Sequence, residues 1–223
     1  MRVMITAEDF GLTKGINYGI YDACVEGIVT SVSLIMNLKL TGHALNLIET
    51  LDVGIGLSLN VTHGKPVKDL DLLMEYGFLK PEHDLDDQVL KAIEEEFECQ
   101  IKKALDLNID IRFLTTYQAY HLKEQAIFDL LVQLGHKFGL PVRGKYDYTD
   151  VFHGNRASAD TLFMLFQQKA DFLEVVVKPG FLCGQLIELS NYRESRVIEH
   201  SILVNPYVKQ MIKDYDIELT DRV

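Results

Sequence analysis

Short apolar segments alternate along the chain with longer segments of helical spacing, and this alternation limits the possible folds more than any other feature of the sequence. Strand-like segments lie at 2–9, 29–36, 53–60, 111–117, 142–146 and 173–177. Helical spacing is found at 15–25, 43–51, 86–107, 124–138, 158–169 and 196–214, the last with a break at Pro206. Strands that alternate with helices pair in parallel through right-handed crossovers. The sequence therefore predicts an α/β fold, and the pattern alone leaves a barrel and an open sheet both open.

Size and charge narrow the class of protein. A chain of 223 residues with 48% hydrophobic residues can bury a substantial core, so we predict one domain over residues 1–223. The net charge of -11 and the lack of a basic cluster oppose binding to nucleic acid or to an anionic membrane surface. We therefore expect a small-molecule ligand, with homodimer formation left open.

Cysteine content and the N-terminus bear on the compartment. Cys24, Cys99 and Cys183 are odd in number and lack a CxxC spacing, which favours a reducing environment over a disulfide framework or a thiolate zinc site. The sequence begins directly on a predicted strand, without the pattern of a signal peptide, and no apolar run is long enough to cross a bilayer. These features predict a cytoplasmic location.

Polar side chains follow several of the predicted strands at the point where each strand ends. They are Glu8 and Asp9 after the first strand, Ser58 and Asn60 after the third, Thr115, Thr116, Tyr117 and His121 around the end of the fourth, and Lys178 after the last. Because the carboxyl ends of parallel strands meet at one face, where ligands bind, we expect these side chains to share a pocket. The segment 64–84 is predicted to be a long loop or small excursion that could cover it.

The adjacent carboxylates Glu8 and Asp9 allow two interpretations. A carboxylate pair at a strand end can supply a metal ligand beside a general base. Carboxylates also commonly cap helices, and a helix is predicted to begin near Lys14.

Motifs in the same order along nearly the whole chain resemble the YdjC-like carbohydrate deacetylases, which include the chitooligosaccharide deacetylases. The resemblance rests on the segments 7–12, 15–20, 27–31, 56–60, 64–66 and 178–181, and on Arg196 and Glu199 near the C-terminus. It implies an irregular (β/α) barrel. It also implies hydrolysis of an N-acetyl group from an amino sugar or oligosaccharide with a divalent metal, Mg²⁺ or Zn²⁺, as cofactor.

Carried over residue by residue, the resemblance implies that Asp9 is the metal aspartate and Glu8 the base. The family's metal histidines fall on Ser58 and Tyr117, and the histidine of its histidine-proline motif falls on Lys178. Serine and tyrosine are rare zinc ligands, so these replacements disfavour a transition metal. A magnesium-like ion held by Asp9, Glu8 and water, or no metal at all, stays open.

Other residues complete the predicted site. Lys178 is predicted to pair with Glu8 or Asp9 and so to balance their charge without a metal, and these three residues form the predicted catalytic group. The predicted substrate-binding residues are Ser58, Asn60, Tyr117, His121 and Arg143, with Arg143 alternatively forming a structural ion pair.

Further residues are read as pocket neighbours or as structural groups. His63 and His153 could reach the rim, although isolated loop histidines are more often solvated. Arg196 and Glu199 lie one helical turn apart, which predicts a structural pair. Four tyrosines could either stack on a sugar ring or fill the interior of the fold: Tyr117, Tyr120, Tyr146 and Tyr148.

Three functional hypotheses follow. The first is a deacetylase with a remodelled site of oxygen ligands, and the second a non-catalytic sugar-binding protein that acts as a sensor or regulator. The third is a hydrolase of different chemistry that uses Glu8 or Asp9 as a metal-free base. The missing imidazoles favour loss of transition-metal deacetylase activity.

Overall fold

The fold is known from a computed structural model that describes residues 1–144 and 148–222, apart from the side chain of Tyr148. Its strands are Arg2–Phe10 (β1), Ser31–Leu34 (β2), Gly54–Leu59 (β3), Met74–Glu75 (β4), Phe78–Leu79 (β5), Ile111–Thr116 (β6), Tyr148–Thr149 (β7), Phe172–Val177 (β8) and Glu218–Leu219 (β9). Its α-helices are Lys14–Val25 (α1), Thr41–Ile48 (α2), Asp87–Asp106 (α3), Tyr120–Lys123 (α4), Gln125–Phe138 (α5), Ala159–Phe166 (α6), Gly184–Leu189 (α7), Glu194–Leu203 (α8) and Pro206–Asp214 (α9).

The main sheet has the strand order β6-β3-β2-β1-β8-β7, with β9 beside β1, and its pairs are parallel. The short strands β4 and β5 form a separate antiparallel hairpin. The predicted α/β fold with a parallel sheet is thus confirmed. All but the first residue of β1 are buried, as expected for the central strand of a sheet that is covered on both faces.

The sheet is strongly curved. The guanidinium group of Arg143 contacts Glu8 of β1, Ser33 of β2, Thr115 of β6 and Glu174 of β8. Because β6 and β8 lie toward opposite ends of the strand order, the sheet must bend around this side chain for both strands to reach it.

The predicted strand at 142–146 is largely absent from the described residues. Val142 forms an isolated parallel bridge with Leu114, and residues 145–147 lie outside the described part of the chain. The next strand, β7, pairs with β8 at the other edge of the sheet. Closure of the sheet into a full barrel stays a prediction.

Several short helices and strands were not predicted from the sequence, because they have too few residues to show a periodic pattern. The predicted loop at 64–84 contains the 3₁₀ turn Asp71–Leu73 and the β4–β5 hairpin. Its start is fixed by Glu96 of α3, whose carboxylate accepts hydrogen bonds from the backbone amides of Val67 and Lys68. The helix α7 and the strand β9 were also missed. None of the helices in the described residues is long and apolar enough to cross a membrane.

Helix α1 packs unusually closely on the chain that follows β8. A Cβ atom added to Gly19 would lie 2.5 Å from the Cα atom of Gly180 and 2.9 Å from the backbone nitrogen of Phe181. This contact fixes the distance between α1 and the segment that carries Lys178, so glycine at position 19 helps to place the site described below.

We predict that Gly19→Ala lowers the free energy of unfolding by about 1–3 kcal/mol, because the added methyl group meets backbone atoms that cannot rotate away. Gly42→Ala is the matched control. Gly42 lies in α2 with nothing within 4 Å of the added Cβ atom, so this change should be neutral or stabilising by up to about 1 kcal/mol. Urea unfolding of both variants measures the difference, and equal stability of the two would contradict the predicted packing.

Candidate active site

A polar cavity of about 390 Å³ lies at the carboxyl ends of β1 and β8. The side chains that matter most for its chemistry are Asp9, His63, Tyr117, His153, Lys178 and Arg196. They come from the segments that follow different strands, as expected for a site at the carboxyl face of a parallel sheet.

An irregularity in β1 brings Glu8 and Asp9 into the same site. Neighbouring residues of a regular strand point to opposite faces of the sheet. Here the pairing of β1 with β2 shifts register between Ala7 and Phe10, and Asp9 has a φ of +72°. As a result the ammonium group of Lys178 lies 3.1 Å from Oε2 of Glu8 and 4.0 Å from Oδ2 of Asp9.

Arg143 forms a buried ion pair with Glu8. The Nη1 atom of Arg143 donates to Oε1 of Glu8 at 2.5 Å, and Nε donates to Oε1 of Glu174 at 2.9 Å. All three side chains are buried. Buried charges are tolerated only when they are paired and hydrogen-bonded, so Arg143 is the group that lets two carboxylates lie under the cavity floor.

Asp9 forms an ion pair with Arg196 of α8, whose Nη2 atom donates to Oδ2 of Asp9 at 2.5 Å. Burial by itself would raise the pKa of Asp9. The positive charges of Lys178 and Arg196 outweigh that effect, and the pKa of Asp9 is lowered. Asp9 is therefore ionised at neutral pH, and its Oδ2 atom is paired with cations.

Lys178 occupies the position that the sequence analysis expected, facing both carboxylates. The Asp9 carboxylate raises the pKa of Lys178 above its usual value, against the opposing effect of burial, so the side chain is charged. The backbone amide of Lys178 donates to Oε2 of Glu199 at 2.5 Å, which fixes the start of this segment.

The residues present do not fit a divalent metal ion. Among the described residues, no group of three or more His, Cys, Asp or Glu side chains is arranged to hold one. The positions implied for metal histidines carry Ser58 and Tyr117. The carboxylates that would bind a metal instead accept from Arg143, Lys178 and Arg196.

Several predicted substrate-binding residues lie beside the cavity rather than on its wall. Ser58 is buried in β3, and Asn60 uses its amide group to bind Asn37 and the backbone oxygen of His63. His121 is buried between the hydroxyl of Thr116 and the backbone oxygen of Arg143. In this structure these residues shape the loops around the cavity, and their role in binding a substrate stays a prediction.

The histidines and tyrosines considered for the rim are placed as follows. His63 and His153 both line the cavity, and the ring of His153 stacks on Tyr192 with centroids 4.4 Å apart. Tyr117 lines the cavity too, whereas Tyr120 lines a neighbouring cavity of about 350 Å³. Tyr146 and the side chain of Tyr148 lie outside the described residues.

The two cavities are neighbours that share wall residues, and together they are called the cleft here. Tyr117, Gln118 and Lys123 line both cavities. Gln118 and Ala119 have φ values of +54° and +52°, a left-handed conformation that non-glycine residues rarely adopt. This turn separates Tyr117 from Tyr120, so that Tyr117 lines both cavities and Tyr120 lines only the second of them.

The predicted pair of Arg196 with Glu199 is wrong. Arg196 binds Asp9, while Glu199 accepts from the hydroxyl of Tyr192 and from the backbone of Lys178. Both side chains are buried, so they turn toward the strand ends instead of pairing along the helix surface. Glu174 was missed altogether, although a single carboxylate within the apolar strand β8 could have indicated a buried charge partner.

Comparisons with known proteins show which sequences and structures this chain resembles. The model of the family described as YdjC-like protein matches residues 2–214. The carbohydrate deacetylase of Clostridium beijerinckii is 31% identical over 98% of this chain and 98% of its own length. The carbohydrate deacetylase of Vibrio cholerae strain M66-2 is 30% identical over 99% of this chain and 95% of its own length.

A solved structure from Enterococcus faecalis V583, described as a proposed cellobiose-phosphate cleavage protein, has the same fold. Its TM-score is 0.88 at 21% identity, over 99% of this chain and 97% of that chain.

We predict that Arg143→Met lowers the free energy of unfolding by about 3–5 kcal/mol, because it leaves Glu8 and Glu174 buried without this counter-charge. The control is Arg112→Met. Arg112 is paired with Asp110 but its side chain is 27% exposed, so its loss should cost about 0–1 kcal/mol. Urea unfolding at pH 7 measures both. A cost for Arg143→Met no larger than that for Arg112→Met would contradict the buried network.

We also predict a pH dependence that belongs to His121. Burial, with the nearby Arg143 charge, lowers the pKa of His121 to about 4. The full contribution of His121 to the free energy of unfolding is present above about pH 6.5, the pKa of a histidine in the unfolded chain. This contribution is lost as the pH falls toward 4, because the unfolded chain then binds a proton that the folded chain excludes. This group alone should cost about 2 kcal/mol of unfolding free energy between pH 7 and pH 5.

The measurement is urea unfolding of the wild type and of His121→Gln at both pH values. The variant should lose less stability than the wild type over this interval, since Gln does not titrate. An identical loss in the two proteins would show that other groups cause the pH dependence.

Proposed function

The chain belongs to the YdjC-like protein family, and we propose that it binds an amino sugar or a short oligosaccharide in the cleft while its metal-dependent deacetylase activity is weakened or lost. The family membership and the curated relatives named carbohydrate deacetylase support the ligand class. The position of the cleft at the carboxyl ends of the strands supports the same location for the ligand.

The observation that carries the proposal is the engagement of both carboxylates by cations. A divalent metal supplies such a deacetylase with an activated water molecule and a polarised amide carbonyl. In this chain Asp9 is bound by Arg196, Glu8 is bound by Arg143, and Lys178 faces both. Both carboxylates are thus paired with cations, which disfavours a metal ion at the same oxygens, and the lowered pKa of Asp9 makes that carboxylate a weak base.

The lining of the cleft suits a sugar. Sugars present many hydroxyl groups together with apolar ring faces, and aromatic side chains can pack on those faces. The cavity offers the rings of Tyr117 and Tyr192 and polar groups of Gln118, Ser190 and Lys178. The neighbouring cavity, with Tyr120 on its wall, gives room for a second ring.

The same ion pairs favour one alternative, a non-catalytic sugar-binding or regulatory protein. Such a protein would release no acetyl group, but its cleft would still bind a ligand through Tyr117 and the polar residues of the wall. Catalysis and recognition therefore have to be measured separately.

The proposal extends to organisation and compartment. We propose that the chain works as one domain in the cytoplasm. The family match over residues 2–214 supports the first point, and the free thiols of Cys24, Cys99 and Cys183 fit a reducing compartment.

We predict that N,N′-diacetylchitobiose or a longer chitooligosaccharide binds to the wild type with the same affinity in EDTA as in Mg²⁺ or Zn²⁺. Acetate release should be at least about 100-fold slower than with the Clostridium beijerinckii relative, because even indirect damage to a metal site costs about 10–100-fold in activity. Titration calorimetry and an acetate assay, both with and without added metal, measure the two quantities.

Matched variants locate the binding. Tyr117→Ala should weaken binding of the disaccharide, and Tyr120→Ala should weaken binding of a longer oligosaccharide more than that of the disaccharide. Tyr207→Ala, at a side chain that is 64% exposed and outside the cleft, should change neither. Metal-dependent acetate release at the rate of the relative would overturn the proposed loss of activity, and no binding of any tested saccharide would overturn the proposed ligand class.

A further inference from the structure

We propose that the ammonium group of Lys178 is the resident cation of this pocket and takes the position that a divalent ion would otherwise hold between Glu8 and Asp9. The inference concerns the same cavity as the proposed function, but it does not require that a sugar binds there. It assigns to this chain a site that is built to work without metal and that becomes a divalent-cation site when one side chain is changed.

The first step is that the two carboxylates lie beside one ammonium group, since Nζ of Lys178 is 3.1 Å from Oε2 of Glu8 and 4.0 Å from Oδ2 of Asp9. Glu8 and Asp9 are consecutive, and the irregularity at Asp9 turns both toward Lys178. Both side chains are at most 10% exposed. Two carboxylates that share a buried site repel each other unless a cation lies between them. Some cation is therefore required by the backbone geometry itself.

The second step is that the arginines do not fill this role. Arg143 binds Oε1 of Glu8 and divides its charge with Glu174, and Arg196 binds Oδ2 of Asp9. Among the ion pairs of the described residues, Lys178 is the side chain that contacts both members of the pair. It approaches Oε2 of Glu8, the oxygen that Arg143 leaves available.

The third step is that the fold holds Lys178 in place. The residue follows β8 directly, and its backbone amide is bound to Glu199, which also accepts from the hydroxyl of Tyr192. Its side chain is 20% exposed. A cation attached to the chain is always present, so the charge balance of the pocket does not depend on the supply of metal or on chelators.

The chemistry of the exposed oxygens defines what would replace the lysine. Without Lys178, the pocket would present carboxylate oxygens from Glu8 and Asp9, with no thiolate among its lining residues and with the rings of His63 and His153 on its wall. Oxygen ligands of this kind suit Mg²⁺ or Mn²⁺ better than Zn²⁺. We therefore expect removal of the ammonium group to create affinity for an oxygen-preferring divalent ion.

The experiment compares the full-length wild type with Lys178→Met and Lys178→Arg. The methionine variant keeps much of the side-chain volume and loses the charge, whereas the arginine variant keeps the charge. Lys178→Met should have a lower melting temperature than the wild type, and Mn²⁺ should restore it. By equilibrium dialysis, Lys178→Met should bind Mn²⁺ at least about tenfold more tightly than the wild type and Lys178→Arg.

Two further variants test where the ion binds. Lys178→Met combined with Asp9→Asn should lose the gained Mn²⁺ affinity, because one carboxylate is neutral. Lys123→Met removes another lysine of the same cavity, one that forms no ion pair with Glu8 or Asp9 in the described structure, and should gain no affinity.

If Lys178→Met fails to fold without additives, the test uses Lys178→Gln and follows recovery of folding with Mn²⁺ or with ethylammonium as probes. Recovery with either cation supports the proposal. The proposal is overturned if the wild type binds a stoichiometric divalent ion that is lost with Asp9→Asn. It is also overturned if a folded Lys178→Met binds Mn²⁺ no better than the wild type, or if Lys123→Met gains as much. None of these outcomes depends on sugar binding, so the two proposals can fail separately.

Discussion

The pair of adjacent carboxylates at the end of β1 is the constraint around which the rest of the site is organised. Glu8 and Asp9 are both buried, and burial of two like charges is unfavourable unless each is paired. The chain meets this requirement with cations from three separate segments, carried by Arg143, Lys178 and Arg196. Removing any one of them would affect the others, because the pairs share the same two acceptors.

The curvature of the sheet and the chemistry of the site depend on each other through Arg143. Its guanidinium group reaches side chains on β1, β2, β6 and β8, which a flat sheet would hold too far apart. Its backbone oxygen is in turn bound by the ring of His121. The guanidinium group that neutralises Glu8 therefore also holds the strand ends together. A change at Arg143 would alter both the charge of the site and the curvature of the sheet.

Much of the fold could be predicted from the sequence, because apolar periodicity and strand–helix alternation are properties of long segments. Helix α3 and strand β1, for example, lie within about two residues of their predicted bounds. The pairing of Lys178 with the carboxylates could also be predicted, since the family resemblance places a lysine where a histidine is expected at a strand end. The partner of Arg196 could not, because helical spacing places it beside Glu199 and only the tertiary fold brings Asp9 within reach. The left-handed backbone at Asp9 likewise could not be predicted, because aspartate tolerates this conformation better than most residues but adopts it in only a small fraction of cases.

The replacements of metal-binding residues that the family resemblance implies are physically coherent when they are considered together. A lysine beside a divalent ion would be repelled by it, and a carboxylate pair with neither would repel itself. Ser58, Tyr117 and Lys178 are therefore mutually consistent: the chain that lacks the imidazoles also supplies the ammonium group. By that resemblance, a histidine restored at position 58 or 117 alone would leave Lys178 in the way of a metal, and removal of Lys178 alone would leave a pocket without either of those histidines. We therefore expect a transition-metal site in this chain to require changes at all three positions.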